Sequence, residues 1–500
     1  MTGQQQPEGD HHDSLASLKR FYRGTIYQAI ILGLVSFTQP GIWDALNSLG
    51  AGGLASPTFV NAANVITYVI MIIACPLWAI AGNRWDLKWV LVAGTLGYTP
   101  YFAALYCNSV NDTQWFLILG AVTCGISAAA LWVSEAAIAV GYPEPERRGV
   151  FIATWMALNK IGSLSGNSIQ LATNMNADGR RQGSINPKTY LILIGLSCAG
   201  LPLSLTLSKA KNLVRKTNQS DSFERLSDST SNSDINPKAS TTSFTIKGAI
   251  SDLWTTMKMK HILILLPIYI TVRWSGTYQG MYLTEYFTVR GRVLAGFISN
   301  VLGIAATLLW GLLLDGKNPN GRSFISSRIS RRWLACNFGW WTILAVYTAQ
   351  WVLNFVMQRT LQKNGLTEKV VLDISDPRYA KAIAAYCLYS FGSNASVVWT
   401  YWILGTYDNQ VNKLAYSTAT LRSAESLGFA ISYGIGATTR ISLMTNLIIS
   451  CVMFWVSVPF TTYAAWNVRH MVVGDDISSG IINGHNGQDG HESDEDPLIE

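Results

Sequence analysis

Six charged side chains interrupt long apolar runs, and through them this chain could do chemistry. Lys160 lies about a dozen residues into the run 150–173, ~18 Å along a helix that rises 1.5 Å per residue. Arg273 lies at a comparable depth in the run 262–283. Glu135 sits near the end of the run 115–140, Arg422 and Glu425 share one face of a helix over 417–439, and Asp44 lies within a turn of the end of 25–47. An ion inside an apolar medium is costly and is retained only for a reason. The acids are candidate proton carriers, and the two deep cations are candidate binders of an anion.

Blander roles compete for each group. Arg422 and Glu425 can neutralise each other locally. Glu135 can bridge to Arg84, or to Arg147 and Arg148, as a latch, and Asp44 can snorkel to the surface. Lys160 and Arg273 lie too deep to snorkel, and neither has a carboxylate within a turn on its own helix. They are therefore expected to face a shared aqueous cavity. Asn159, Asn167, Gln170, Tyr278 and Gln279 extend the polar faces of the same two helices.

The elements that must position these groups follow from composition. Apolar residues make up 49% of the 500 and charged residues 13%, with a mean hydropathy of +0.21. Soluble domains carry roughly 25% charged residues, so this is a membrane composition. The 18 tryptophans suit bilayer interfaces. All seven cysteines fall in or beside apolar runs without CxxC or Cys/His spacing, which excludes a disulfide framework or a metal site as the organising principle. The net charge of +7 belongs to loop lysines and arginines, and no nucleic-acid surface is expected.

Twelve segments of about 18–25 mostly apolar residues match the ~30 Å of a hydrocarbon core and must be helical there. They are Thr25–Asn47, Val60–Ala81, Trp89–Cys107, Trp115–Val140, Val150–Thr173, Tyr190–Ser208, Ile262–Leu283, Val293–Leu314, Trp333–Gln358, Ala380–Tyr407, Ser417–Thr439 and Ser442–Trp466. The expected layout is a cytoplasmic tail (1–20), a six-helix bundle (21–208), a cytoplasmic linker (209–261), a second six-helix bundle (262–466) and an acidic tail (467–500). Loop lysines and arginines put both tails in the cytoplasm. That topology leaves Asn111, in the sequon Asn111-Asp112-Thr113, outside as a glycosylation site, and makes the sequons at Asn218 and Asn394 silent.

The linker is polar through Ser243 and then reads as an amphipathic helix. Ile246, Ile250, Leu253 and Met257 share a face flanked by Lys247, Lys258 and Lys260, as on an interfacial helix. A weak internal repeat accompanies the two-bundle plan. Gly125 and Trp132 echo Gly392 and Trp399, and Asn159 with Ser163-Leu164 echoes Arg422 with Ser426-Leu427. In this register Glu135 aligns with Trp402 and Lys160 with Ser423, so these charges are not features of the repeat.

Twelve helices in two halves with a long central loop resemble the major facilitator superfamily. Within it the chain is similar to the fungal branch of the Unc-ninety-three-like (ion-channel-regulator-like) family. The carrying residues are Pro40–Gly53, Tyr142-Pro143-Glu144-Pro145-Glu146-Arg147-Arg148-Gly149, Phe287-Thr288-Val289-Arg290-Gly291-Arg292 and Gly311-Leu312-Leu313-Leu314-Asp315. The resemblance spans roughly residues 20–470 and puts Asp315 among the gating candidates. The superfamily's usual motif between the second and third helices is reduced to Gly82-Asn83-Arg84-Trp85-Asp86-Leu87-Lys88, and Asp44 stands where the family pattern has an amide.

No enzyme is expected. Gly50–Gly53 lacks the strand and lysine of a phosphate loop, and the six histidines lie in tails or at the ends of apolar runs. No cofactor or metal is called for. The C-terminal Asp494-Glu495-Asp496-Pro497-Leu498-Ile499 resembles an acidic dileucine sorting signal, which points to a vacuolar or endosomal membrane, with the plasma membrane as the alternative. The first functional expectation is a secondary-active transporter working by alternating access. It would move a small solute, with an anion suggested by Lys160 and Arg273, coupled to protons through Glu135 or Glu425. The alternative, which the resemblance allows, is a non-transporting regulator or trafficking partner of a channel or other membrane protein.

Overall fold

The computed structural model describes residues 21–48, 57–174, 187–213, 245–315, 333–364, 371–408, 410–438 and 440–468. The N-terminal tail, Gly50–Gly53, Asn218, most of the 209–261 linker and the acidic tail with its sorting sequence lie outside them. The described residues are almost entirely helical, joined by short turns. The helices are α1 Thr25–Ser36, α2 Ile42–Ser48, α3 Pro57–Trp85, α4 Leu87–Gly94, α5 Tyr98–Asn111, α6 Gln114–Gly141, α7 Arg148–Asn174, α8 Pro187–Cys198 and α9 Gly200–Leu205. They continue as α10 Ile246–Met257, α11 Lys260–Thr271, α12 Ser275–Tyr286, α13 Val289–Asp315, α14 Trp341–Asn364, α15 Tyr379–Tyr407, α16 Val411–Ala437 and α17 Leu443–Trp466.

Among the described residues, seven helices are long and apolar enough to cross a membrane: Thr25–Asn47, Val60–Trp85, Leu87–Asn111, Gln114–Gly141, Pro187–Leu205, Val289–Asp315 and Leu443–Trp466. This makes the protein an all-α, multi-pass membrane protein. It also corrects the expectation of twelve spans in two six-helix halves. The physical reasons differ from helix to helix. The run 262–283 is broken into α11 and α12 of 12 residues each, about 18 Å apiece and too short for the hydrocarbon core. α7, α14 and α16 are long, but they carry buried Asn159, Lys160, Gln350, Asn354, Arg422 and Glu425, which dilute their apolar content.

Two helix breaks shape the interior. Between α1 and α2 the backbone widens into a π-turn, Phe37–Gly41, around Pro40. Proline has no N–H to give the Ser36 carbonyl four residues back. Asn159 Nδ2 approaches that carbonyl instead at 3.4 Å, and Ser163 Oγ donates to Gly41 O at 3.0 Å, so α7 mends the break in α1. The second break is Val272–Trp274. There Tyr347 hydroxyl donates to Val272 O at 2.9 Å and Ser432 Oγ to Trp274 O at 2.7 Å. In both places freed carbonyls are satisfied by neighbouring helices, as an apolar medium demands.

Close packing at the first break depends on Gly162. A Cβ there would lie 2.9 Å from Phe37 Cα and 3.0 Å from its carbonyl carbon, both backbone atoms that cannot step aside. Gly162→Ala is expected to destabilise the protein by about 1–3 kcal/mol through overpacking. Thermal unfolding in detergent measures it, and an unchanged transition would show that α1 and α7 can separate freely.

Candidate functional site

Both breaks deliver charge to one cavity. It encloses about 170 Å³ between α1–α2, α3, α6, α7, the Val272–Trp274 break, α13, α15 and α16. That is below the ~300–1,000 Å³ of typical ligand pockets. Lys160, Arg273, Asp44 and Arg422 all line it. The π-turn carries Asp44 to within 2.9 Å of Lys160 Nζ, with the lysine side chain 11% exposed and the carboxylate 20%. Arg273 Nε lies 3.5 Å from Glu425 Oε1, while Glu425 Oε2 accepts from Arg422 Nη1 one helical turn away. Glu425 thus bridges two guanidinium groups. Arg422 also rests over the Trp132 ring, 3.8 Å from its centroid, a cation–π contact strengthened by desolvation.

Lys160 and Arg273 have no carboxylate within a turn on their own helices, yet neither lacks a partner. Each finds one on a different helix, where inspection of its own helix could not look. Asp44 does not snorkel; it is the partner of Lys160.

Aromatic side chains cover the cavity on the side away from Asp315. Tyr68 of α3 stacks on Phe429 and Tyr433 of α16 with centroids 4.5 and 5.7 Å apart, and Trp43 meets Tyr68 edge-on. One turn or more beyond the stack, Asn61 Nδ2 donates to Gly436 O at 3.2 Å. Nothing in the sequence distinguished these aromatics from ordinary core residues.

The remaining candidates are spread over other places. Asn159, Tyr278 and Gln279 are fully buried and do not line the cavity. Asn159 serves the α1 break, and Tyr278 hydroxyl donates to Gln358 Oε1 at 3.2 Å. Glu135 does not meet Arg84, Arg147 or Arg148. Its Oε2 accepts from Trp155 Nε1 at 3.0 Å and from Ser36 Oγ at 3.2 Å, and its Oε1 has no partner. Arg84 is exposed at the end of α3 and Arg147 is half-buried in the turn before α7. Asn111 is exposed at the end of α5, and Asn394 is buried within α15. Because Glu135 makes no ion pair among the described residues, Glu135→Gln is expected to change stability by less than about 1 kcal/mol, since the amide oxygen still accepts both hydrogen bonds. A loss above about 3 kcal/mol on thermal unfolding would mean that a charge partner had been removed.

The motif Tyr142–Gly149 docks helices together. Tyr142 hydroxyl donates to Ser208 O at 3.3 Å, and Arg148 Nη1 donates to Gly405 O at the end of α15. Asp315, the last residue of α13, accepts from Gly149 N at 2.7 Å and Val150 N at 2.6 Å. These are first-turn donors of α7 with no intrahelical partner, at its electropositive end. A Cβ on Gly149 would come within 2.8 Å of Gly311 O, so glycine permits this approach.

The motif Phe287–Arg292 lies away from the cavity. Leu372 exchanges backbone hydrogen bonds with Tyr286 and Thr288, strapping the turn between α12 and α13 to the segment before α15. Arg290 beside Asp373, followed by Thr288, the Ile374 backbone and Ser375, holds the Asp373 carboxyl well below the usual carboxylate range. A depressed carboxylate stabilises the fold above its ordinary pKa, so this strap weakens as pH falls through the folded-state value. Among the described residues no group of three or more His, Cys, Asp or Glu could hold a metal ion.

Comparison with known proteins completes the picture. The chain is 27% identical to the notoamide biosynthesis cluster protein O' of Aspergillus versicolor over 466 residues, covering 93% of this chain and 92% of that protein. It is 25% identical to an UNC93-like protein of Schizosaccharomyces pombe over 458 residues, covering 88% and 84% of the two chains. It is also 25% identical to UNC93-like protein 1 of Arabidopsis thaliana over 461 residues, covering 92% and 93%. The UNC93-like resemblance is therefore distant, and because it extends to a plant protein it does not single out a fungal branch. The family model described as Major Facilitator Superfamily matches residues 24–349, from the start of α1 into α14. A match over more than half of the chain, on a helical multi-pass framework with charge buried at its helix breaks, makes this membrane protein a member of the major facilitator superfamily.

Proposed function

We propose that the chain acts as a non-transporting membrane regulator or trafficking partner of another membrane protein. The observation that supports this is the closure of the cavity's charges on one another. Lys160 is held by Asp44, and Glu425 is shared by Arg273 and Arg422. Glu135 joins the same network through Trp155, whose ring meets Trp132 edge-on at 6.0 Å beneath Arg422. Lys160 and Arg422 are thus each hydrogen-bonded to an acid and Arg273 is paired with Glu425 at 3.5 Å, so the cations first assigned to a solute are engaged internally. The UNC93-like names among the relatives accord with this reading.

A second reading, secondary-active transport of a small solute by alternating access, is favoured by one observation. Lys160 and Arg273 share a cavity with Arg422, and a solute carrying its own carboxylate could replace Asp44 or Glu425 there. Two preparations discriminate the readings. An unbiased uptake screen with reconstituted protein should give no solute accumulation above empty vesicles. From native membranes, the full chain should co-purify with a stoichiometric membrane-protein partner whose abundance falls when the chain is deleted. Uptake of any solute that Lys160→Ala abolishes would overturn the regulator reading.

Three apolar spans precede the sequon at Asn111, so the proposal places Asn111 on the side opposite the N-terminal tail, outside. Glycosidase treatment is expected to raise the gel mobility of the wild type but not of Asn111→Gln. A wild-type mobility that glycosidase leaves unchanged would overturn that placement.

A further inference from the structure

One rim of the molecule carries lysines shelved on exposed aromatic rings. Lys209 and Lys88 lie 5.8 and 5.7 Å from the Trp89 ring centroid, Lys258 lies 4.7 Å from that of Trp254, and Lys260 lies 5.6 Å from that of Tyr463. The three rings are each about half exposed. They share a rim because Asn83 Nδ2 donates to Asn412 O at 3.3 Å, His261 stacks on Tyr407 at 4.5 Å, and α10 packs against α3 and α16. Three apolar spans end there, at Trp85, Leu205 and Trp466.

α10 lies across the same rim. It buries Ala249, Leu253 and Thr256 against the protein. Leu253 therefore faces inward, and the outward stripe is Ile246, Ile250 and Trp254, spaced four residues apart and 66%, 53% and 57% exposed. An apolar stripe beside lysines, immediately preceding α11, matches the acyl–headgroup boundary: apolar tips inward, ammonium groups at the phosphates. The aromatic shelves hold each lysine in place while leaving its N–H donors free for an anion.

We propose that this rim is a binding surface for anionic lipid headgroups, with α10 lying in the headgroup layer. The shelved lysines supply the charge, and Ile246, Ile250 and Trp254 supply the depth. The surface is independent of the central cavity and holds whether or not the chain moves a solute.

The test titrates the purified full chain, stripped of lipid in detergent, with phosphatidylglycerol or phosphatidylcholine and counts bound lipid by native mass spectrometry. At about five-fold per lysine near an anionic surface, Lys209, Lys258 and Lys260 together should favour phosphatidylglycerol on the order of a hundredfold. The preference should shrink as salt rises. It should be lost in Lys209→Gln/Lys258→Gln/Lys260→Gln and kept in the corresponding arginine variant. Equal retention of the two lipids, or a preference that the glutamine variant leaves intact, would overturn the proposal. Should the glutamine variant not fold, the salt titration of the wild type decides: a preference indifferent to salt is not carried by these lysines.

Discussion

Glu425→Ala is expected to lose about 3–5 kcal/mol of stability, because two guanidinium groups would stay buried without their carboxylate. Glu425 is 3% exposed, and Arg273 and Arg422 both point to it. Few side chains near the cavity can match that loss, since removing Asp44 strands only one cation and leaves it partly solvated. The apparent Tm in detergent should fall by roughly 3–5 °C. Replacing the group with apolar side chains of similar volume (Arg273→Met, Arg422→Met and Glu425→Leu together) should recover most of the loss, as a buried ion group gains little over good packing. A double-mutant cycle between Glu425 and Arg273 measures the coupling directly. Additivity within about 0.5 kcal/mol would show that Glu425 serves Arg422 alone.

Asp315→Ala is expected to loosen the contact between α13 and α7. The carboxylate closes two orphan backbone donors at the start of α7. Hydrogen bonds to a charged group contribute about 1.5–3 kcal/mol each, so losing both weakens this end of the interface by about 3 kcal/mol or more. Asp315→Asn should fall between wild type and alanine, because the amide keeps one acceptor and loses the charge. Accessibility is the readout. Met156 of α7 is 1% exposed, so Met156→Cys should be labelled slowly in a background lacking the accessible Cys107, Cys198 and Cys451. In Asp315→Ala the labelling rate should rise on the order of a hundredfold, since each 1.4 kcal/mol is a factor of ten. An unchanged rate with a lowered Tm would make Asp315 a helix cap and nothing more.

The sequence by itself determined the class of this protein. A charged content of 13% and long apolar runs leave no alternative to a helical membrane protein, because a backbone in hydrocarbon must satisfy its own donors and acceptors. It also singled out Lys160, Arg273, Asp44, Arg422 and Glu425, since charge in an apolar run is visible without coordinates. The resemblance drew attention to the turn Tyr142–Gly149 and to Asp315. The span count was not legible. The run 262–283 looks continuous in composition, yet its helix opens at Val272–Trp274, where Tyr347 and Ser432 take up the freed carbonyls. Those side chains are remote in sequence, so no window along the chain contains the cause.

Only the tertiary structure decided who faces whom. Lys160 meets Asp44 because the π-turn at Pro40 redirects α2 toward α7, and Arg273 meets Glu425 because its own helix is broken beside α16. Asn159 left the list of solute contacts for the same reason: its amide is committed to the carbonyl that Pro40 cannot reach. Partners across helices are set by packing and by where carbonyls go unsatisfied, and neither quantity is local. Residue type declares that a buried charge needs a partner; the fold alone names the partner.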